Sequence, residues 1–255
     1  MLEKNIVIPL ILSVFAGLST VLGAFIIFIS NKKSNKLITF SLSFSAGVMI
    51  SVSLTDLLLS SIETLAKIHG TATGISFSLL FMLIGGIFAF LIDKLIPSDN
   101  INKDNNKSLF RVGLVSMVAL MIHNFPEGIA TFVSGYHNTS LGISIALAIS
   151  LHNIPEGIAI ALPIYYSTKS KIKAFKFTLL SGLAEPLGAF LAFLFLRPYI
   201  NENILSIIFS LVAGIMIYIS FTELLPKANS YKENHVYIAS IFLGLCIIPL
   251  SHIYV

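Results

Sequence analysis

The stretch AGVMISVSLTDLL at residues 46–58 returns as AGIMIYISFTELL at residues 213–225, without a gap and with 8 identities in 13 positions. A second pair, AGLSTVLGAF at 16–25 and SGLAEPLGAF at 181–190, has 6 identities in 10 positions. The two pairs occur in the same order, at offsets of 167 and 165 residues. Because chance likeness between apolar segments does not preserve order and spacing, the chain is predicted to contain an internal structural repeat.

The composition is typical of an integral membrane protein. Of the 255 residues, 56% are apolar and only 11% are charged, and the mean hydropathy is +0.92, whereas soluble domains carry roughly 25% charged residues. The net charge of +4 does not indicate a nucleic-acid partner, because basic residues of a membrane chain mark its cytoplasmic loops. The single cysteine, Cys246, provides neither a disulfide framework nor a thiolate metal cage.

Eight apolar runs are each long enough to cross the hydrocarbon core, which takes roughly 20 helical residues. The first run is longer than the roughly 7–15 residues of a cleaved signal-peptide core, so it is predicted to be retained. The runs define predicted helices 1 to 8 at residues 6–29, 37–60, 74–96, 110–135, 140–166, 173–196, 203–226 and 235–254.

The repeat pairs predicted helices 1–3 with helices 6–8, while helices 4 and 5 lie between the copies and repeat each other. An offset of five helices means that the copies cross the membrane in opposite directions, which is the inverted repeat of many secondary transporters. The fold class is therefore predicted to be all-α, an eight-helix polytopic membrane protein that forms a single domain over residues 1–255.

Lysine and arginine residues are concentrated on one side of the predicted membrane. Thirteen of the 16 lie in or beside the loops that follow helices 1, 3, 5 and 7. Because such residues are enriched in cytoplasmic loops, both termini are predicted to lie outside. The longest loop, residues 97–109, is predicted to be a flexible cytoplasmic linker. The chain is thus predicted to be a multi-pass protein of the cell membrane, in contact with the lipid bilayer.

Five carboxylates lie inside the predicted spans, and no lysine or arginine lies well inside any span. An uncompensated carboxylate in hydrocarbon costs several kcal/mol, so such groups usually face a bundle interior or a wet cavity and mark an ion path. We therefore expect the missing counter-charge to be a cation that binds reversibly. The five acids are Asp56, Glu127, Glu156, Glu185 and Glu223.

Two of these acids allow two interpretations. By the predicted topology, Asp56 lies toward the outer end of helix 2 and Glu223 toward the inner end of helix 7. They either attract cations at the two mouths of a pathway, or they cap and solvate helix ends.

The motif HNFPEG at residues 123–128 is repeated as HNIPEG at residues 152–157, inside helices 4 and 5. In each copy a histidine stands four residues before a glutamate, so both side chains share one helical face. Imidazole nitrogen together with carboxylate oxygen suits zinc and neighbouring first-row metals, whereas calcium and magnesium prefer oxygen ligands alone. The predicted ligands are His123, Glu127, His152, Glu156 and, at matching depth on helix 6, Glu185.

The asparagines of the two motifs, Asn124 and Asn153, add neutral oxygens beside the glutamates. They indicate a second, harder subsite that shares Glu127 and Glu156 with the first. The prolines remove a backbone donor and bend each helix beside the ligands, and the glycines allow close helix approach. These residues are Pro126, Pro155, Gly128 and Gly157.

At these residues the chain resembles the Zrt/Irt-like (ZIP) metal transporters, nearest the bacterial ZupT branch, over essentially all eight helices. The resemblance rests on the two HNxPEG motifs and on the glutamate-proline pair within residues 181–190. It implies a two-metal site midway across the bilayer and no catalytic cofactor. The implied ligands of the first metal are His123, Glu127, His152 and Glu156. The implied ligands of the second are Asn124, Glu127, Asn153, Glu156 and Glu185.

The resemblance further implies zinc uptake into the cytoplasm, with iron, manganese, cobalt or cadmium also accepted. It implies that helices 1, 4, 5 and 6 move as a unit against helices 2, 3, 7 and 8, and that the protein forms a homodimer. Two departures qualify these implications. The predicted cytoplasmic loop lacks the histidines of many relatives, which argues against metal sensing there, and helix 5 lacks the HExPHE form of other branches, which argues against selectivity for zinc alone.

Two other functions are open alternatives at the level of sequence. An intramembrane metal-dependent hydrolase would use a zinc-bound water, but such enzymes commonly carry HExxH, and each copy here offers only one histidine and one glutamate. A passive channel would use the same ligands. The inverted repeat favours transport over hydrolysis, because hydrolysis needs no second exit, and it leaves the channel alternative open.

Overall fold

The structure is a computed structural model that describes residues 4–29, 34–95, 105–137, 139–196 and 201–251. Within these ranges it is helical and contains no strand. The helices are α1 (Lys4–Ala24, continued after a turn at Phe25 by Ile26–Ile29), α2 (Asn35–His69), α3 (Thr71–Leu95), α4 (Asn105–His137), α5 (Thr139–Thr168), α6 (Lys171–Phe195), α7 (Glu202–Asn229) and α8 (Asn234–Ser251).

Seven of these helices are long and apolar enough to cross a membrane, and α8 contributes a shorter apolar helix over Asn234–Leu250. The prediction of an all-α polytopic membrane protein is confirmed. Most of the predicted loop, residues 97–104, lies outside the described residues. Residues 105–109 at its end form the first turns of α4.

Helix α2 differs most from its predicted length, which ended at residue 60. The helix continues to His69 because its last eleven residues are amphipathic, with Leu65 buried while Glu63 and Lys67 are exposed. Gly70 ends the helix with a φ of +89°, a backbone conformation that glycine adopts without steric cost. Helix α3 then begins at the next residue.

Contacts between helix ends define two faces of the bundle. On the first, which we call the terminal face, His69 at the end of α2 is hydrogen-bonded to Asn203 at the start of α7, with Nε2 and Oδ1 2.9 Å apart. On the opposite, basic face, Lys227 near the end of α7 donates a hydrogen bond to Ser108 near the start of α4 at 3.1 Å. The predicted orientation places the terminal face outside the cell.

The packing of the helices follows the sequence repeat. Gly47 of α2 packs against the backbone of α8, and the equivalent Gly214 of α7 packs against the backbone of α3. Each copy also contains a π-helical segment at the corresponding place, Val52–Leu58 in α2 and Ser220–Leu224 in α7. π-helical turns inside α-helices are rare and often lie at functional sites. The structure therefore agrees with the predicted inverted repeat.

Helices α4 and α5 occupy the centre of the bundle, between α1 and α6 on one side and α2 and α7 on the other. Large apolar side chains on α1 and α3, such as Ile11 and Leu83, are exposed on the outer surface. Such a surface suits lipid, and the helices satisfy their own backbone hydrogen bonds as hydrocarbon requires. The polar motif residues are thereby confined to the interior.

Candidate metal centre

A cluster of imidazole and carboxylate groups lies between α4 and α5. Nε2 of His123 is 3.0 Å from Oε1 of Glu127, one helical turn later on α4. The same carboxylate oxygen is 2.8 Å from Nε2 of His152 on α5. One ligand atom from each of these three residues lies within 4.8 Å of the others. Three donor atoms this close together can coordinate a single metal ion.

Glu156 completes this cluster from α5. Its Oε1 lies 3.4 Å from Nε2 of His123, and the ring centroids of His123 and His152 are 6.2 Å apart. All four predicted residues of the first metal site, two from each HNxPEG motif, are therefore brought together and buried. The i, i+4 spacing had predicted each pair, and the antiparallel contact of α4 with α5 unites the pairs.

The asparagines of the motifs contact α1 and α6. Asn153 Nδ2 donates to Oε2 of Glu185 at 2.9 Å and to the carbonyl oxygen of Ala16 at 3.0 Å. Asn124 Nδ2 donates to the carbonyl oxygen of Ser181 at 3.3 Å. Both amide nitrogens are thus bound to protein acceptors, so each asparagine keeps its Oδ1 available for another partner. The predicted second group therefore lies against α6, which contributes Glu185.

Two glycines bring these helices into close contact. A Cβ added to Gly128 of α4 would overlap the carbonyl oxygen of Glu185, and a Cβ added to Gly157 of α5 would overlap the carbonyl oxygen of Thr20. Thr20 and Glu185 are equivalent under the repeat, since they are 165 residues apart. The predicted close approach at both glycines is observed, and it sets the distance of Glu185 from α4.

The buried oxygens of the cluster are short of hydrogen-bond partners. Burying such an atom unpaired is costly, and a carboxylate costs more than an amide. A bound cation would be coordinated by these oxygens and would offset the negative charge of three glutamates. Among the predicted ligands, the buried oxygens without a hydrogen bond are Oε2 of Glu127, both Oε atoms of Glu156, Oε1 of Glu185, and Oδ1 of Asn124 and Asn153.

Among the described residues, a cavity leads to the cluster from one side. A cavity of about 470 Å³ between α2, α4, α5 and α7 reaches it from the terminal-face half of the bundle. Glu127 and His152 line this cavity and keep 3% and 5% of their surface exposed, whereas His123, Glu156 and Glu185 keep none. Asp56 of α2 is the third ionisable residue that lines this cavity.

The expectation that no basic residue neutralises the acids inside the spans is wrong for Glu223. Arg111 of α4 forms ion pairs with Glu223 of α7 and with Asp93 of α3, and its side chain is only 16% exposed. Arg111 stands at the start of the predicted fourth span, where sequence alone assigns it to the loop. Contact between α3, α4 and α7 partly buries it. The sequence could have indicated this pair only through the charge of Arg111 beside an apolar run.

The known proteins that this chain is similar to are described as zinc transporters, which is consistent with a metal-binding cluster. The family model described as ZIP Zinc transporter matches residues 98–251. The chain is 43% identical over 263 residues to "Zinc transporter ZupT" of Chlorobium chlorochromatii (strain CaD3), with 98% of each chain covered. It is 42% identical over 259 residues to the protein of the same name in Streptococcus mutans serotype c, again with 98% of each covered. The protein of that name in Oceanobacillus iheyensis is 41% identical over 261 residues, with 97% of each covered.

Proposed function

We propose, because this chain belongs to the ZIP family of zinc transporters, that it carries zinc into the cytoplasm through the cluster between α4 and α5. The chain is a membrane transporter and not an enzyme. The observation that carries the proposal is the group formed by His123, Glu127 and His152, whose ligand atoms lie within 4.8 Å of one another deep in the bundle.

The ion enters from the terminal face, which is predicted from the distribution of lysine and arginine to lie outside the cell. The negative charge of Asp56 attracts a dication into the cavity. The ion then exchanges water for the imidazoles and carboxylates of the cluster. Glu127 is the central ligand, since its carboxylate lies within hydrogen-bond distance of one histidine on each helix.

Release follows from the charge of the site. Three ionised glutamates, Glu127, Glu156 and Glu185, give a charge of −3, which one dication reduces to −1 and two convert to +1. A second ion, or protonation of the glutamates, therefore weakens the binding of the first metal ion. Carboxylate and amide oxygens also bind zinc less tightly than thiolates do, which keeps the affinity moderate enough for turnover.

The second group of ligands, Asn124, Asn153 and Glu185 with the two shared glutamates, favours harder cations than zinc alone. Manganese and iron(II) are such cations, and the family resemblance extends the proposed cargo to cobalt and cadmium as well. The homodimer implied by the family resemblance stays a prediction, as does the outer position of both termini. The hydrolase alternative is not favoured, because the relatives named above are transporters and the motifs lack a second histidine.

Uptake into proteoliposomes tests the function. Purified protein in zinc-free vesicles should take up zinc-65 with saturation, and an excess of unlabelled cadmium or iron should compete, whereas magnesium should not. Uptake that never saturates would support a channel. Vesicles that stay no more permeable to zinc than protein-free liposomes would refute the proposal, provided that the reconstituted protein still binds zinc in detergent.

A further inference from the structure

The repeat of the chain relates the two faces of the bundle. Residues of α2 correspond to residues of α7 at an offset of 167, and residues of α4 correspond to residues of α5 at an offset of 29, the spacing of the two HNxPEG motifs. Observed contacts obey this correspondence. The contact of Gly128 with Glu185 matches that of Gly157 with Thr20. Each residue on the path from the terminal face therefore has a counterpart toward the basic face.

Most of these counterparts are buried. Phe209 of the terminal-face cavity is partly exposed, while its counterpart Leu42 is buried. Asp56 of the cavity is partly exposed, while its counterpart Glu223 is buried. Because the cavity separates α4 and α5 from α2 and α7 at one face, the same four helices must separate at the other face to release the ion. The closed path includes Ile38, Leu42, Ser116, Leu120, Ala159 and Glu223, all of them buried.

Arg111 joins the helices that must separate. It lies on α4 and forms ion pairs with Glu223 on α7 and Asp93 on α3. Tyr218 of α7 also donates a hydrogen bond to Asp93, with its hydroxyl 3.2 Å from Oδ2. The counterpart of Arg111 on α5 is Ser140, an uncharged residue. The basic face therefore carries an arginine that bridges α4 to α7 and α3, and the equivalent position at the terminal face carries no base.

Ser116 adds an independent observation on the closed path. Its hydroxyl is fully buried and has no hydrogen-bond partner in the described part of the chain. An unpaired buried hydroxyl is unfavourable. Water or a hydrated ion would pair with it once this half of the bundle opens.

We propose that Arg111 is the gating residue of the release path, which its ion pairs with Glu223 and Asp93 hold closed. This inference rests on the proposed transport function. When α4 and α5 separate from α2 and α7 at the basic face, the arginine leaves Glu223. That carboxylate then lines the release path as Asp56 lines the entrance. While the pairs persist, the guanidinium also repels a dication electrostatically.

Thiol labelling tests the proposal with two matched reporters. In a Cys246→Ser background, Ala130→Cys reports on the terminal-face cavity, and Ala159→Cys reports on its closed counterpart. A membrane-impermeant thiol reagent is applied to intact cells and to inside-out vesicles. With Arg111 present, Ala130→Cys should react from outside and Ala159→Cys should react slowly from either side.

Adding Arg111→Gln should raise the labelling rate of Ala159→Cys from the cytoplasmic side by about tenfold or more, because loss of a partly buried ion pair shifts a two-state equilibrium by at least that factor. Labelling of Ala130→Cys should slow in the same variant. An Ala159→Cys rate that does not respond to Arg111→Gln would overturn the proposal.

Two controls separate a gate from general loosening. Lys107→Gln removes a positive charge from an exposed position of the same helix and should leave both rates unchanged. The charge exchange Arg111→Glu with Glu223→Arg should restore protection of Ala159→Cys. If Ala159→Cys does not fold, Ser116→Cys serves as the reporter. Zinc flux is measured in the same vesicles: an absence of flux with Arg111 intact contradicts the transport function, whereas normal flux with an unresponsive reporter contradicts only the gate.

Discussion

Glu127 of α4 and His152 of α5 meet inside the bundle, with Oε1 of the carboxylate 2.8 Å from Nε2 of the imidazole. The two residues come from different copies of the HNxPEG motif, and the glutamate is also within 3.0 Å of the histidine of its own copy. The carboxylate of Glu127 is thus the link between the two halves of the proposed metal site.

Glu127→Gln should therefore lower zinc affinity by more than about 100-fold, because even partners that only orient a metal ligand contribute about 10–100-fold. The change keeps the size of the side chain and removes the charge. Isothermal titration of zinc into the purified variant measures the loss. Glu202→Gln, at an exposed helix start, is the control and should bind normally; equal affinities of both variants would count against Glu127 as a ligand.

Asn153→Ala should remove the second ion and spare the first. It leaves Oε2 of Glu185 and the carbonyl oxygen of Ala16 without the donor that they share, while His123 and His152 keep their positions. Metal analysis after saturation with zinc should show one ion per chain in the variant and two in the unaltered protein. Two ions bound to the variant would contradict the assignment of Asn153, and Asn203→Ala at the surface should behave like the unaltered chain.

Gly128→Ala should destabilise the protein by about 1–3 kcal/mol, as overpacking of a tight contact does. The new methyl group would collide with the backbone carbonyl of Glu185, which cannot yield without moving α6. Gly86→Ala is a matched control, since a Cβ there has its nearest neighbour 3.7 Å away. Heating followed by size-exclusion chromatography measures the loss, and similar midpoints for both alanine variants would contradict the packing described here.

Ser45→Ala should lower the free energy of unfolding by about 1 kcal/mol, which is the contribution of an ordinary hydrogen bond. The hydroxyl of Ser45 on α2 donates to the carbonyl oxygen of Pro155 on α5 at 2.6 Å. Ser43 lies on the same helix and is equally buried, but it donates to Thr39 within that helix. The same heating assay should therefore show a larger loss of stability for Ser45→Ala than for Ser43→Ala. A larger loss for Ser43→Ala would contradict the contact between the helices.

Alkaline phosphatase fused to the C terminus should be active in cells, because this enzyme folds only outside the cytoplasm and the C terminus is predicted to lie outside. Fusion after Thr168, at the basic face, should be inactive. A fluorescent protein that folds only in the cytoplasm should give the opposite pattern at both sites. Reversed activities would invert the orientation on which the direction of uptake depends.

Much of this fold could be predicted from local sequence. Hydropathy located all eight helices because each apolar run matches the thickness of a bilayer, and the i, i+4 spacing placed His123 beside Glu127 on one face. The repeat predicted that the copies are inverted. Each of these features depends on residues close together in the chain, or on a comparison of the chain with itself.

Features that arise from contact between distant helices could not be predicted in this way. Arg111 is partly buried because α3 and α7 pack against the start of α4, and its sequence neighbours do not reveal this. The carbonyl oxygens of Ala16 and Ser181, which hold the two asparagine side chains, carry no sequence signal at all. The extension of α2 to His69 was missed because its last turns are amphipathic and too polar for a hydropathy window.

Zinc K-edge X-ray absorption of the purified, zinc-loaded protein tests the metal site most directly. The account predicts nitrogen and oxygen ligands at about 2.0–2.1 Å with imidazole scattering, and it predicts that the imidazole signal disappears in the double variant His123→Ala, His152→Ala. An unchanged spectrum in that variant, or a sulfur ligand at about 2.3 Å, would contradict it.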